Sequence, residues 1–186
     1  MKRIIPLLLV AGIMMLVPAC KEKKQSTDII TTKYVPKRPQ APIKMPLDLR
    51  TSEVEWMGAN YTVNIERVSV DSLPMVKDET GQEFVDNRIT LTIQRSDSTV
   101  FFKKSFTKGS FSSYLDESFR RRALLSGMIY HKTEGSELMF AVSVSLPESD
   151  DEFIPLELAV NSQGNIAIKR DTTLDTWGEE DSTHKE

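Results

Sequence analysis

From residue 61 to residue 170 apolar and polar residues mostly alternate, the signature of strands with one buried face. Tyr61, Val63 and Ile65 alternate with Thr62, Asn64 and Glu66, and the run continues to Val68 and Val70. Ile89, Leu91 and Ile93 alternate with Thr90, Thr92 and Gln94. A polar turn at Ser96, Asp97 and Ser98 then leads into Val100 to Phe106, which reads as a hairpin. Downstream the pattern predicts strands over Met128 to Lys132, Leu138 to Leu146, Ile154 to Asn161 and Ile166 to Arg170. Turns fall at Glu134 and Gly135, in the Pro147 to Glu152 loop, and around Gly164. Loops this short permit only antiparallel neighbours, so these four form a meander.

One segment departs from period two. Phe111, Leu115, Phe119 and Ala123 recur at helical spacing and predict a helix over 111–125. Ser113 with Asp116 resembles a capping box, Asp116/Arg120 and Glu117/Arg121 are i,i+4 pairs, and Gly127 suits the far end. The expected fold is therefore mainly β, an antiparallel sheet or sandwich of about seven strands with one helix packed on it, over residues 51–170.

The ends differ in composition. Residues 20–50 carry Pro36, Pro39, Pro42 and Pro46, which remove backbone donors and fix φ. Between 21 and 50 eight Lys or Arg face only Glu22, Asp28 and Asp48, which reads as a flexible basic tether. Residues 171–186 reverse the sign: Asp171, Asp175, Glu179, Glu180, Asp181 and Glu186 face Lys185 alone. With only Leu174 and Trp177 as large apolar groups, this reads as an acidic disordered tail.

The first 19 residues read as an export signal, with Lys2 and Arg3, an apolar run, then Pro18 and Ala19 before Cys20. The run from Ile4 to Ala19 spans only about 24 Å as a helix, against the ~30 Å of a hydrocarbon core. The stretch Leu16-Val17-Pro18-Ala19-Cys20 resembles the lipobox of bacterial lipoproteins, in which the cysteine is acylated, with chains such as palmitate, and becomes the new N-terminus. Cys20 is the chain's single cysteine, so it forms no disulfide within the chain and the domain relies on burial and strand pairing. Removal of the signal leaves 167 residues, enough for one domain with its own core.

Candidate chemistry is sparse. His131 and His184 are the chain's two histidines; His131 reads as an exposed strand-end residue and His184 lies in the acidic tail. No HExxH, CxxC, phosphate loop or dinucleotide fingerprint is present, so no catalytic residue, metal ligand or cofactor is assigned. The Glu148-Ser149-Asp150-Asp151-Glu152 run lacks the spacing and glycine of a calcium loop and reads as a solvated turn. Arg120, Arg121 and Arg122 offer anion binding but also suit a helix C-terminus. Asp71-Ser72-Leu73, Asp97-Ser98-Thr99, Asp171-Thr172-Thr173 and Asp181-Ser182-Thr183 resemble triplets that Bacteroidetes glycosylate on exported proteins, and equally suit turns.

From Trp56-Met57-Gly58 through Val76, Asp78, Gly81, Asp86-Asn87 and Phe101 to Gly109, and on to Gly164 and Arg170-Asp171, the chain is similar to domain of unknown function 4738 of short Bacteroidetes lipoproteins. That resemblance implies no activity and no site residues. The expected protein is lipid-anchored in a Gram-negative outer membrane, periplasmic or surface-facing, with a protein or glycan partner and no nucleic acid. It acts as a non-enzymatic binding or assembly module. The alternative is a hydrolase acting on glycan or peptide through a pair of its 27 carboxylates.

Overall fold

The structure, a computed structural model, describes residues 40–147, 149 and 151–172. The described residues form ten strands: β1 (Asp48–Trp56), β2 (Ala59–Ser69), β3 (Val76–Lys77), β4 (Glu83–Phe84), β5 (Asn87–Arg95), β6 (Val100–Thr107), β7 (Leu124–Glu134), β8 (Glu137–Ser145), β9 (Phe153–Asn161) and β10 (Ile166–Arg170). All seven strands read from alternation are present, as β2 and β5 to β10. One four-stranded antiparallel sheet has the order β1-β2-β5-β6, a second has β10-β9-β8-β7, and β3 and β4 pair as a small ribbon.

The additional strands explain themselves. β3 and β4 are two residues each, too short for any periodicity. β1 buries only Val54 and Trp56, and its first half, Asp48 to Ser52, carries no apolar alternation. The folded domain thus reaches further back than residue 51. Val85 N donates to Ile43 O at 2.9 Å, and Ile43 N donates to Glu83 O at 2.9 Å, which docks the last prolines of the basic segment beside β4. Cys20 and the signal lie outside the described residues, as does the acidic tail beyond Thr172.

The two sheets share one core. Val63, Ile65, Ile89, Leu91, Ile93 and Phe106 of the first face Leu138, Phe140, Val142, Leu156, Leu158 and Val160 of the second. At one end Trp56 meets Tyr61 and Phe101 edge-on, with centroids 5.1 and 5.3 Å apart, geometry that aromatic quadrupoles favour.

The helix expected over 111–125 is corrected. A 3-10 turn, η1 (Lys108–Tyr114), is followed by extended backbone at Leu115, and only α1 (Glu117–Arg122) is α-helical. Phe111 and Leu115 plug the core, whereas α1 buries no residue. Ala123 to Leu125 are needed elsewhere: Leu124 and Leu125 pair with Ser145 and Val144 to open β7. Sheet pairing therefore overrides a helical pattern that a single exposed turn cannot sustain alone. Of the expected pairs, Glu117 meets Arg121 at 3.4 Å, but Asp116 lies 3.8 Å from Arg170 instead of pairing with Arg120. Thr107 N donates to Ser110 Oγ at 3.2 Å, so the reciprocal bond sits at η1 and not at Ser113. Gly127 lies within β7.

Sheet edges are managed by different devices. The Tyr114 hydroxyl donates to Ile168 O at 2.8 Å and covers β10, while exposed Lys103 and Lys104 mark the β6 edge. In the β5–β6 turn, Asp97 Oδ1 accepts from Thr99 Oγ1 at 2.6 Å and Thr99 N at 2.9 Å. These bonds, the hydroxyl's first, hold the Asp97 carboxyl below its usual 3.8. A depressed carboxylate stabilises the turn above that value and loses its contribution as pH falls through the lowered folded value. The protection factor of the Thr99 amide in hydrogen exchange should fall as the pH drops below 3.8, while that of Leu91 in the core stays constant.

Candidate binding groove

The first half of β7 crosses the strand ends of the first sheet, and buried polar groups tie the crossing. Asp86 Oδ1 accepts from Leu125 N at 3.0 Å and Asn87 N at 2.8 Å, and Lys108 Nζ lies 3.1 Å from Asp86 Oδ2. Asn87 Nδ2 donates to Leu125 O at 3.0 Å. Buried polar atoms persist only when partnered, and here the partners come from β5, β7 and the β6–η1 junction.

Just beyond this knot the ladder slips between Leu125 and Gly127, leaving Ser126 as the extra residue of a bulge. Ser126 Oγ turns to Ser143, donating to its carbonyl at 2.9 Å and lying 3.0 Å from its Oγ. The Ser126 carbonyl accepts from Nη1 of Arg67, whose Nη2 donates to Pro46 O at 3.2 Å. Arg67 Nε is buried without a partner. At Gly127 a Cβ would come 3.2 Å from Ser143 Oγ, so the absence of a side chain keeps β7 close to β8.

The bulge and the strand ends enclose an open groove of about 350 Å³. Its floor is the β7 segment Ser126 to Ile129 together with Ala141 to Ser143 of β8 and Leu156 of β9, so the groove lies on the face of this sheet and reaches the β7 edge. One wall carries Asp48, Arg50 and Arg67, with Asp48 Oδ2 accepting from Arg50 Nε at 2.9 Å. The other carries Phe153, Pro155 and Asp171, and Asp171 N donates to Pro155 O at 3.1 Å. Phe153 and Ile129 leave 41% and 42% of their surface to solvent, so the groove is polar on one side and apolar on the other. β7 ends its sheet, and past the bulge its outer edge has no strand partner among the described residues.

Few of the residues singled out in the sequence fall here. His131 is exposed on β7 at a second register slip, outside the groove lining. Arg120, Arg121 and Arg122 lie on α1. Glu148 and Asp150 are not described, and the loop around them is closed by Glu152 N donating to Ser149 Oγ at 3.1 Å. Of the hydroxyl triplets, Asp71 pairs with Lys44 at 2.7 Å and Asp97 bonds its own turn; Asp171 is at the groove rim, and 181–183 lie outside the described residues. No group of three or more His, Cys, Asp or Glu among the described residues is placed to hold a metal, and no helix there is long and apolar enough to cross a membrane.

The residue that sequence reasoning passed over is Arg67. Counting by two from Val63 and Ile65 places it on the buried face of β2, where a guanidinium needs a reason. Asp48 and Arg50 were hidden in the basic segment.

A search of curated proteins finds no match to this chain. The family model of domain of unknown function DUF4738 matches residues 28–168, which takes in β1 to β9 and all but the last two residues of β10. Spanning most of the sequence and the whole groove floor, that match shows that the chain belongs to the DUF4738 family.

Proposed function

We propose that this protein is a lipid-anchored cell-envelope binding module that holds an extended polypeptide segment of a partner along the edge of β7. The observation that carries the reading is the β7 segment Gly127 to Ile129, without a strand partner on its outer side among the described residues, at the rim of a groove whose wall holds Arg50 and Asp48. An unpaired strand edge offers alternating N–H and C=O groups to an incoming strand, and side-chain pockets beside it supply specificity. Arg50 and Asp48 would meet polar groups of the ligand, and Ile129 with Phe153 its apolar ones. Asp48 shares its carboxylate with Arg50, an arrangement suited to orienting a ligand more than to proton transfer.

The address rests on Cys20, whose acylation would place the domain at the end of the basic segment. Such a tether suits a module that captures a partner within reach of the membrane.

A photo-cross-linking residue placed at Ile129 in the full chain, in its native envelope, tests the groove. The expected result is a discrete polypeptide adduct from position 129 and none from Val100, which is at least as exposed on the other sheet. Equal adducts from both positions, or none from 129, would sink the reading. An adduct resistant to protease but cut by glycosidases would reassign the groove to a glycan.

A further inference from the structure

We propose a second site, independent of the groove, that binds a phosphate-type oxyanion carried beside an apolar group. It is the cavity of about 400 Å³ between α1, the Leu73–Met75 loop and the β6–η1 junction.

Cations reach this cavity from separate parts of the chain. Lys108 comes from η1, and Arg120 and Arg121 from α1. The Lys108 side chain is only 14% exposed, and its Nζ donates to Ala123 O at 2.6 Å and meets Asp86 Oδ2 at 3.1 Å. An ammonium has three protons, and Ala123 O and Asp86 Oδ2 take two of them. Arg121 is held by Glu117 at 3.4 Å on an open surface, and Arg122 turns away to Glu79 at 3.6 Å. Arg120 has no side-chain partner among the described residues.

The charges that oppose them are few. Asp86 is neutralised by Lys108 and by two backbone N–H groups, and Glu117 is 71% exposed, where pairing with Arg121 is screened. Arg120 thus remains as an exposed guanidinium without a side-chain partner among the described residues, and its planar fork fits two oxygens of a phosphate. The macrodipole of the short, exposed α1 acts only at its own end and does not account for cations that also come from η1. The remaining wall is apolar: Leu73, Pro74 and Met75, the last 44% exposed, would contact whatever carries the oxyanion.

The test is an NMR titration of the full chain in zwitterionic micelles, read at the Gly109 amide and the Arg120 and Arg121 Nε–H groups. Inorganic phosphate is one arm and phosphatidylglycerol added to the micelles is the other. Saturable shifts at these three groups are expected in at least one arm. Saturation by phosphate alone identifies a free-anion site, and saturation by the lipid alone identifies a headgroup site. Arg120→Gln should weaken binding about tenfold or more, the loss expected for a charge-assisted hydrogen bond. Arg122→Gln, facing Glu79, should leave it unchanged. No saturable shift in either arm, or equal binding by Arg120→Gln, overturns the proposal.

Discussion

Asp86→Ala is expected to lower the stability of the domain by about 3–5 kcal/mol, the cost of breaking a buried charge pair from one side. The carboxylate is 5% exposed and accepts from two backbone N–H groups and one ammonium. Truncation leaves Lys108 charged in a nearly closed site and strips the Leu125 amide of its acceptor at the point where β7 begins. Two costs therefore add: an uncompensated cation and unsatisfied donors. In urea the midpoint should fall with the slope unchanged, and the melting temperature should drop on the order of ten degrees. The double variant Asp86→Leu with Lys108→Met should be more stable than Asp86→Ala, since removing both charges removes the penalty of an orphan. A loss below about 1 kcal/mol for the single variant would mean that the crossing is held by apolar packing alone.

Cys20→Ser, exported behind a signal whose removal does not depend on Cys20, is expected to move the protein almost completely from the membrane to the soluble fraction of the envelope. Each buried methylene contributes about 0.8 kcal/mol, so one acyl chain gives reversible binding and several give anchoring that is effectively permanent. Without them, what remains is the basic segment, whose Lys and Arg contribute about 1 kcal/mol each near an anionic surface. That residual attraction is screened by salt, so a high-salt wash should release the variant and leave the native protein in place. Retention of the variant after the wash, or a native mass showing residue 20 unmodified, would remove the basis for the proposed address. The groove and the oxyanion site would then need reconsidering in another compartment, although their geometry would stand.

Much of the architecture was legible because alternation records burial directly. Ile89, Leu91 and Ile93 are inward and their neighbours less buried, and the same alternation runs from Phe140 through Val142 to Val144, although Met139 before it is buried as well. The helical reading of 111–125 failed for a definite reason. Phe111 and Leu115 are spaced for a helix face yet are buried by a 3-10 turn and an extended link, because Leu124 and Leu125 were required by β8. β1 escaped notice because an edge strand over polar ground buries too little to leave a pattern.

The sites were less legible than the fold. Arg67 left a trace, a charge in phase with Val63 and Ile65, but nothing local reveals that its partners are Ser126 and Pro46, dozens of residues away. The run Arg120 to Arg122 was visible as charge, whereas its division was not: Arg122 faces Glu79, and Arg120 faces a cavity shared with Lys108.

The sequence alone thus determined the β class, the strands with one buried face, the meander and the family likeness, since each depends on neighbours along the chain. Only the tertiary structure decided where β7 crosses the first sheet, which polar groups are buried there, and which cations converge. Those outcomes depend on the packing of segments distant in sequence, and no periodicity within one segment encodes the position of another.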